Sequence, residues 1–279
     1  MSVDPGQALR AELEVKSPEK IEWLKVLVHG ESGAGKTTFV GTAMDSPLTH
    51  PAFLLDIEGG STVLNDKPDV DVRQARVMAE VQKVADILHA HPKYYKLFAL
   101  DSLTELRDID MNEVMLEQWK KKPETTDKDV PSPREWGKSG NRIKEILRYL
   151  KDLPCHVIVT TLTETKQDQR SGIERLQPLL PGQLGKQVPG FFDIVGYLRA
   201  TEKNGEYLRT MQFQKTERVM AKDRTKVLPG ILDNPTIPMI WDIIFKAGAT
   251  IDRTVAPELL AAVAQTTPTP TATPTEKVA

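Results

Sequence analysis

A glycine-rich stretch near the start of the chain carries residues suited to holding phosphate. Residues 30–37 read GESGAGKT and match the phosphate-loop pattern G-x-x-x-x-G-K-[ST] in full. Glycines at these positions let backbone N–H groups approach phosphate oxygens that side chains would hold at a distance. The pattern therefore predicts a nucleotide site formed by Gly30, Glu31, Ser32, Gly33, Ala34, Gly35, Lys36, Thr37 and Thr38.

Two side chains of this loop have specific predicted roles. Lys36 is expected to place its charge on the β and γ phosphates, and Thr37 to offer its hydroxyl to Mg²⁺. A helix that begins at Lys36 would add about half a positive charge at its N-terminus. The alternative is a glycine-rich turn that matches the pattern by accident, but an apolar, strand-like run directly before the loop favours the nucleotide site.

Acidic residues at the ends of two further apolar runs would complete a hydrolytic site. Asp101 ends the run 97–100 and is the acid expected to hold Mg²⁺ beside the nucleotide, with capping of the next helix as the alternative. The run 53–56 leads into Glu58, at the sheet edge where open α/β folds bind ligands. Glu58 is favoured as the residue that orients and deprotonates water, Asp56 competes with it, and a turn role for both is the remaining alternative.

Composition restricts the class of protein more than its activity. The 279 residues are 39% apolar and 27% charged, which is ordinary for a globular protein, and the net charge of −2 gives no global sign of nucleic-acid binding. The single Cys155 excludes an intramolecular disulfide and suits the core of a protein in a reducing compartment. Without a signal peptide or an apolar run of about 18 residues, we expect a cytoplasmic protein with no membrane contact. The five histidines show no zinc-ligand spacing.

Strand-like and helix-like segments alternate over most of the chain. Repeated β-α units with continuous apolar strands predict a mostly parallel sheet with helices on both faces. A capping-box sequence, Ser132-Pro133-Arg134-Glu135, predicts the start of one helix. Strands predicted at 193–198, 207–213 and 218–221, with a turn at Asn204-Gly205, indicate an antiparallel extension of the sheet edge.

The composition of the two ends sets the predicted domain limits. Residues 1–20 are polar with two prolines, and residues 266–275 read TTPTPTATPT, so neither end is expected to bury enough surface to order itself. We predict a flexible segment at 1–20, one α/β domain at 21–250, and a segment at 251–279 that ends in a disordered Thr/Pro-rich tail.

Taken in order, these motifs resemble the core of RecA-type recombinases, most closely the short phage-encoded RecA-like ATPases linked to single-strand annealing. The resemblance rests on GESGAGKTT, FLLDIEGG, LFALDSL and HVIVTT and covers about residues 21–230. It implies a RecA-type P-loop NTPase fold, with the HVIVTT sensor strand between the strands that carry the phosphate loop and the Mg²⁺ acid. It also implies ATP and Mg²⁺ as cofactors.

The resemblance assigns roles to residues that no local pattern singles out. The sensor strand of RecA-like proteins ends in a polar residue near the γ phosphate, and Thr160 or Thr161 fills that place, where bacterial RecA has glutamine. Lys222 and Arg224 stand where RecA-like proteins present cations to the γ phosphate of a neighbouring subunit, which implies a head-to-tail ring or filament. The alternative for both cations is a solvated basic turn.

Two loops are implied to carry single-stranded DNA, at residues 120–141 and 163–189. Basic residues beside aromatic ones suit neutralisation of the DNA backbone and stacking of bases. Against this, acids dilute the charge, and Trp136 alternatively shares a buried face with Ile143. The basic residues are Lys120, Lys121, Lys122, Lys128, Arg134 and Lys138 in the first loop and Lys166, Arg170, Arg175 and Lys186 in the second.

We therefore expect a Mg²⁺-dependent ATPase of RecA type that binds single-stranded DNA and promotes annealing or strand pairing in phage recombination or replication. Its expected partners are single-stranded DNA, further copies of itself and a single-strand DNA-binding protein. One alternative is a nucleotide-gated assembly or packaging ATPase that does not act on DNA directly. Another is a P-loop kinase, which would need an arginine-bearing lid and an acceptor pocket.

Overall fold

The computed structural model describes residues 23–246 apart from residues 68, 126, 128, 168–171 and 204. The segments predicted to be flexible, 1–20 and 251–279, lie outside the described residues, as do both limits of the predicted 21–250 domain. The same holds for Lys128, Arg170 and Asn204.

Within the described residues the chain forms ten strands and six α-helices, which alternate through the first two thirds. The strands are β1 (Lys25–Gly30), β2 (Ala52–Asp56), β3 (Asp71–Gln74), β4 (Leu97–Asp101), β5 (His156–Gln167), β6 (Glu174–Pro178), β7 (Ile194–Lys203), β8 (Glu206–Gln212), β9 (Lys222–Asp223) and β10 (Ile231–Asp233). The helices are α1 (Lys36–Gly41), α2 (Met78–Ala90), α3 (Leu103–Lys121), α4 (Pro133–Lys151), α5 (Gln183–Gln187) and α6 (Ile237–Lys246). Short 3₁₀ helices occupy Thr42–Asp45, Ser61–Leu64 and Val188–Phe191.

One sheet joins the strands in the order β10-β8-β7-β1-β5-β4-β2-β3, with β6 paired to β5 and β9 to β7. The strands from β7 to β3 pair in parallel, whereas β8, β9, β10 and β6 pair antiparallel. The predicted fold class, a mostly parallel sheet with an antiparallel extension at one edge, is therefore confirmed. The sensor strand β5 lies between β1 and β4, which is the arrangement that the RecA resemblance implied.

Helices cover both faces of this sheet and divide its core in two. One core joins the strands to α2, α3 and α4, and includes Leu106 and Ile146; the other joins them to α1 and α6 and includes Trp241. The neighbouring β1 residues Leu27 and Val28 lie in opposite cores, because successive side chains of a strand point to opposite faces. A strand buried on both faces explains the continuous apolar run before the phosphate loop. No helix in the described part of the chain is long and apolar enough to cross a membrane.

The capping box at the start of α4 is confirmed in its side-chain contacts. Arg134 N donates to Ser132 Oγ at 3.3 Å, and Ser132 N donates to Glu135 Oε2 at 2.9 Å. This signal is local in sequence, so no tertiary contact is needed to interpret it.

The predicted strand at 218–221 is wrong. Thr216 N donates to the Val219 carbonyl at 3.1 Å and Val219 N donates to Thr216 Oγ1 at 3.0 Å, which folds the segment into a turn. Only an isolated bridge between Leu176 and Val219 remains, and the strand that pairs with β7 is the two-residue β9 that follows. The hydroxyl of Thr216 competes with the ladder for this backbone, a contact that the apolar pattern does not reveal.

The two predicted DNA loops are more regular than expected. Helix α3 continues to Lys121 and α4 begins at Pro133, so Arg134 and Lys138 of the first predicted loop are helical. In the second, β5 continues to Gln167 and turns back as β6, which makes a β-hairpin in place of most of the loop.

Candidate functional site

The phosphate loop lies at the carboxyl end of β1, between that strand and α1. Gly33 and Gly35 have φ angles of 76° and 94°, in the left-handed region that favours glycine, and Gly35 caps α1. A side chain at Gly30 would overlap the backbone carbonyl of Leu198 on β7. Backbone conformation or packing therefore requires glycine at three positions of the motif, whether or not a ligand is bound.

Lys36 opens α1 and folds back over its own loop. Its Nζ donates to the carbonyls of Gly30 at 3.1 Å and Glu31 at 3.0 Å, and the residue is only 7% exposed. Burial lowers the pKa of Lys36, and the nearby carboxylates of Asp101 and Glu58 act in the opposite direction. The loop therefore holds a desolvated cation whose present acceptors are two backbone carbonyls, groups that phosphate oxygens can replace.

Asp101 ends β4 and brings three predicted site residues together. Thr37 Oγ1 donates to Asp101 Oδ2 at 2.5 Å, and the Thr160 hydroxyl donates to the other carboxylate oxygen. Asp101 is 2% exposed, and the Asp101–Ser102 peptide bond is cis. The alternative role of Asp101 as a helix cap is wrong, because Ser102 is the N-cap of α3 and accepts a hydrogen bond from Glu105 N.

The oxygen atoms of Thr37 and Asp101 fit Mg²⁺, which favours hard oxygen ligands and completes its shell with water and phosphate. The hydrogen bond between them brings two such oxygens within 2.5 Å of each other at the mouth of the loop. Among the described residues no cluster of three or more histidine, cysteine or acidic side chains forms a metal site. A metal at Thr37 and Asp101 would therefore rely on nucleotide oxygens for part of its coordination.

The two sensor-strand threonines, left as alternatives by the sequence, differ in their contacts. Thr160 contacts Asp101, as described above. The Thr161 hydroxyl instead lies 2.8 Å from the hydroxyl of Thr104 on α3, which also accepts a hydrogen bond from Leu162 N at 3.0 Å. Adjacent strand residues point to opposite faces, so only one of the pair meets the acid. The geometry favours Thr160.

The loop after β2 separates Asp56 from Glu58 in a similar way. Asp56 is 1% exposed, and its carboxylate accepts hydrogen bonds from Gly59 N at 2.7 Å and Ser61 N at 3.0 Å. Glu58 has an exposed side chain, while its N–H donates to the Asp101 carbonyl at 3.2 Å. Asp56 is therefore committed to shaping the turn, and Glu58 is the carboxylate available to a ligand.

Lys222 and Arg224 lie apart from this cluster and have local partners. Lys222 pairs with Val195 near the start of β7, and its Nζ donates to the carbonyls of Pro189 and Phe192. Burial lowers the pKa of Lys222, with the Arg224 charge acting in the same direction. Arg224 forms a 3.3 Å ion pair with Asp193 and is half exposed. The structure does not bring either cation to the phosphate loop of its own chain.

Basic residues of the predicted DNA loops fall into two groups. Lys120, Lys121 and Lys122 are exposed at the end of α3. Lys166 and Arg175 stand directly opposite each other on the β5–β6 hairpin. Because β5 pairs with β1 only as far as Leu162 opposite Gly30, this hairpin projects beyond the sheet edge that carries the phosphate loop.

Trp136 is 38% exposed, so the alternative that it shares the buried face of Ile143 is wrong. It lies two turns before Ile143, about 10 Å along the helix axis, where α4 extends past the core. Its ring faces the Arg107 guanidinium at 6.0 Å. The buried side chains at this end of α4 are Glu135 and Ser139, and the seven-residue spacing alone could not show this.

Two neighbours of the phosphate loop gave no signal in the sequence. His29 lies directly before the loop and is buried. Its Nε2 lies 2.7 Å from the Met220 carbonyl, which can only accept a hydrogen bond, so Nε2 carries the proton. In the neutral ring Nδ1 then accepts a hydrogen bond from Thr163 Oγ1 at 2.9 Å. Burial lowers its pKa to about 4. Arg209 of β8 lies against Gly35. Both contacts join segments more than 130 residues apart, which local patterns do not encode.

Comparison with known proteins gives one family. A family model described as "AAA domain" matches residues 22–225, a range that includes the phosphate loop, Glu58, Asp101 and Thr160. No curated protein matches the chain. Solved structures with similarity include a KaiC-like protein from the hyperthermophilic archaeon Pyrococcus horikoshii, at a TM-score of 0.39 and 16% identity, over 76% of this chain and 89% of that one.

Proposed function

The chain belongs to the AAA domain family, and on this premise we propose that it binds ATP with Mg²⁺ at the phosphate loop and hydrolyses the terminal phosphate. The convergence of Lys36, Thr37 and Asp101 at one edge of the parallel sheet is the observation that carries this proposal. A cation, a hydroxyl and a carboxylate are the groups that a Mg²⁺-bound triphosphate requires.

Each residue of the cluster has a part in the proposed reaction. The backbone N–H groups of residues 30–38 and the ammonium of Lys36 hold the phosphates. Thr37 and Asp101 would hold Mg²⁺, which would supply charge neutralisation. Glu58 orients a water molecule and accepts its proton as the water oxygen bonds to the γ phosphorus and the bond to the bridging oxygen breaks, releasing ADP. Thr160 fixes the orientation of Asp101.

The proposal extends to single-stranded DNA as the polyanion that the protein binds beside the ATP site. The protein would promote annealing or pairing of the bound strands. Support comes from two cations on the hairpin beside the phosphate loop, although Glu164 and Glu174 of the same hairpin balance their charge. Lys166 and Arg175 are like charges directly opposite each other, an arrangement that destabilises a strand pair and that a bound anion would relieve, although Arg175 Nε already donates to the Glu217 carbonyl at 3.0 Å. A DNA backbone on this hairpin would lie next to the loop that holds the nucleotide. The lysines at the end of α3 form a second candidate contact.

Head-to-tail assembly is the remaining part of the proposal. Lys222 and Arg224 lie away from the phosphate loop of their own chain. This position is required of residues that contact the nucleotide of a neighbouring subunit. Their present partners are one carboxylate and backbone carbonyls, so assembly would have to exchange these contacts for phosphate oxygens.

The decisive experiment measures ATP turnover against the length and concentration of single-stranded DNA. We expect stimulation that saturates with DNA length. Lys166→Gln with Arg175→Gln should leave the DNA-free rate unchanged and reduce the salt slope of DNA binding by about 1.4, that is about 0.7 for each lost phosphate contact. Lys120→Gln with Lys121→Gln tests the end of α3 in the same way.

The outcomes separate the functions that the sequence left open. Turnover without any effect of DNA would reject the DNA-dependent role and favour a nucleotide-gated assembly ATPase. Lys222→Ala mixed with Glu58→Gln should recover some activity if cations act between subunits, because each inactive partner supplies what the other lacks. Absence of recovery at every ratio would reject that role and leave both cations as local structural residues.

A further inference from the structure

Arg209 lies on the part of the β7–β8 hairpin that overhangs the phosphate loop. Tyr197 of β7 is paired with His29, and the next carbonyl, that of Leu198, lies against Gly30. Beyond this point β7 has passed the end of β1. Arg209 is paired with Ala200, two residues further along. The hairpin therefore carries the arginine to the carboxyl edge of the sheet, above the loop.

The arginine stem contacts the loop backbone where Gly35 has no side chain. A β-carbon built on Gly35 would lie 3.0 Å from Cδ and 3.2 Å from Cζ of Arg209, and would overlap the guanidinium nitrogen between them. Gly35 also has a φ of 94°, so this position favours glycine for its backbone and for this contact. The guanidinium consequently lies next to the residue that precedes Lys36.

The backbone of Arg209 is held in place, whereas a buried donor of its guanidinium lacks an acceptor. Asn234 Oδ1 accepts from Arg209 N at 3.1 Å, and Asn234 N donates to the Arg209 carbonyl at 2.6 Å, which fixes the backbone. The Nε atom is buried without a hydrogen-bond partner in the described part of the chain. Buried donors are normally paired, so an unpaired arginine donor at a phosphate loop points to an acceptor supplied from outside the protein.

We propose that Arg209 is a further nucleotide-binding residue, whose guanidinium donates to a phosphate oxygen of a bound nucleoside triphosphate. This inference rests on the proposed function. A planar guanidinium matches phosphate oxygens in a two-pronged geometry that lysine does not offer. Arg209 acts on the loop of its own chain, in contrast to Lys222 and Arg224. It would tie the β7–β8 hairpin to the nucleotide, so that binding stiffens this edge of the sheet.

Binding of Mg·ATP and of inorganic tripolyphosphate to Arg209→Met tests the assignment, since methionine keeps an unbranched apolar stem without the charge. We expect both ligands to bind about 10- to 100-fold more weakly, the usual effect of losing a charge-assisted hydrogen bond. Arg73→Met is the matched control, because Arg73 is an exposed strand arginine on β3 at the opposite edge of the sheet, and it should bind both ligands as the parent does.

A second variant protects the test against misfolding. Arg209→Lys keeps the charge and a similar stem, and should lie between the parent and Arg209→Met in affinity for both ligands. If both Arg209 variants fold and bind tripolyphosphate as tightly as the parent, the phosphate contact is rejected, even if ATP binding falls, because the lost contact would then involve the base or sugar. A folded parent that binds neither ligand would instead reject the proposed function itself. If the parent binds both, Lys36→Met is the reference for loss of a phosphate-loop contact and should weaken binding of both ligands.

Discussion

The two ends of the parallel strands bury polar groups in contrasting ways. At the amino end, Lys25 Nζ donates to the carbonyls of Leu153 and Cys155, both at 2.7 Å. At the carboxyl end, Lys36 Nζ donates to the carbonyls of Gly30 and Glu31 at 3.1 and 3.0 Å. Both ammonium groups are desolvated, and burial lowers both pKa values, that of Lys25 to about 8.

What differs is the acceptor. The amino-end carbonyls belong to the connection from α4 to β5, where Leu153 and Cys155 are buried in the core. At the carboxyl end, the Gly30 carbonyl lies at the buried end of β1, and the Glu31 carbonyl lies in a glycine-rich loop whose residues 31–33 are exposed. A buried cation that contacts a rigid core contributes to the fold, whereas one that contacts an exposed loop can exchange its partners for a ligand. The contrast can be tested with matched substitutions at the two ends.

The largest effect is expected for Lys36→Met against Lys25→Met. Lys36→Met should lower kcat/KM for ATP by about 10⁴-fold, because the ammonium acts both on bound phosphate and on charge that develops during transfer. Its free energy of unfolding should change by no more than about 1 kcal/mol, because removal of a desolvated cation offsets the loss of its hydrogen bonds to the carbonyls of Gly30 and Glu31. ATP turnover and urea unfolding of both variants measure this.

Lys25→Met should show the opposite pattern. Two buried carbonyls lose their donor, which costs about 1–3 kcal/mol of unfolding free energy, offset in part by removal of the buried charge. Its ATP affinity should stay within about twofold of the parent, the range expected for a group without ligand contact. If Lys25→Met stays folded but loses ATP binding, the assignment of Lys25 to the fold and of Lys36 to the ligand is wrong.

The two acids after β2 provide the second test, now within the carboxyl end. Glu58→Gln should retain ATP binding and lower turnover by about 10³-fold, since the amide cannot accept a proton from water. Asp56→Asn should cost about 1–2 kcal/mol of unfolding free energy, because one of the backbone N–H groups of the turn loses its acceptor. Single-turnover kinetics and thermal unfolding separate the two. Comparable turnover in Glu58→Gln and the parent would remove Glu58 from the proposed chemistry.

The third test compares Thr160→Val with Thr161→Val, a pair of adjacent isosteric changes. Loss of the Thr160 hydroxyl should reduce turnover by about tenfold, because Asp101 loses the donor that orients it. Loss of the Thr161 hydroxyl should cost about 1 kcal/mol of stability through its contact with Thr104, with turnover unchanged. The reverse pattern in ATPase assays would assign the sensor position to Thr161.

Prediction from the sequence succeeded where the signal is local. The strand and helix on either side of the phosphate-loop motif, the apolar strands and the capping box at Ser132 are each encoded within a few residues, and the strand order follows from the family resemblance. The choice between Thr160 and Thr161 was different. Alternation along a strand ensures that only one meets Asp101, but which one depends on the orientation of β5 relative to β4, a property of the assembled sheet.

Contacts made by the antiparallel extension escaped prediction for the same reason. Arg209 reaches Gly35 because β8 folds back on β7, and His29 reaches Met220 across 191 positions of sequence. Neither side chain belongs to a motif. The turn at Thr216 and the end of the core before Trp136 likewise depend on tertiary packing, which a pattern of apolar residues does not carry.

The smallest effect on ATP turnover is expected at the amino end of the strands, where only the stability of the protein in acid should change. His156 is buried, its Nδ1 accepts a hydrogen bond from Leu24 N at 3.0 Å, and burial lowers its pKa to about 3. The unfolded chain binds a proton near the ordinary pKa of about 6.5, whereas the folded chain does not, so stability falls as the pH drops below 6.5. His29, with a pKa of about 4, acts in the same direction.

Each histidine should contribute up to about 1.4 kcal/mol per pH unit between roughly pH 6 and 5, where most carboxylates are still ionised. His156→Gln offers Leu24 N a neutral acceptor and should remove about half of the combined slope. Urea unfolding at several pH values in this interval measures it, and ATP affinity at pH 7 should match that of the parent. If the slope survives in His156→Gln, His156 is not the group that titrates. If ATP affinity falls with the fold intact, the amino end of the strands is coupled to the nucleotide site, and the division between a structural end and a ligand-exchanging end is wrong.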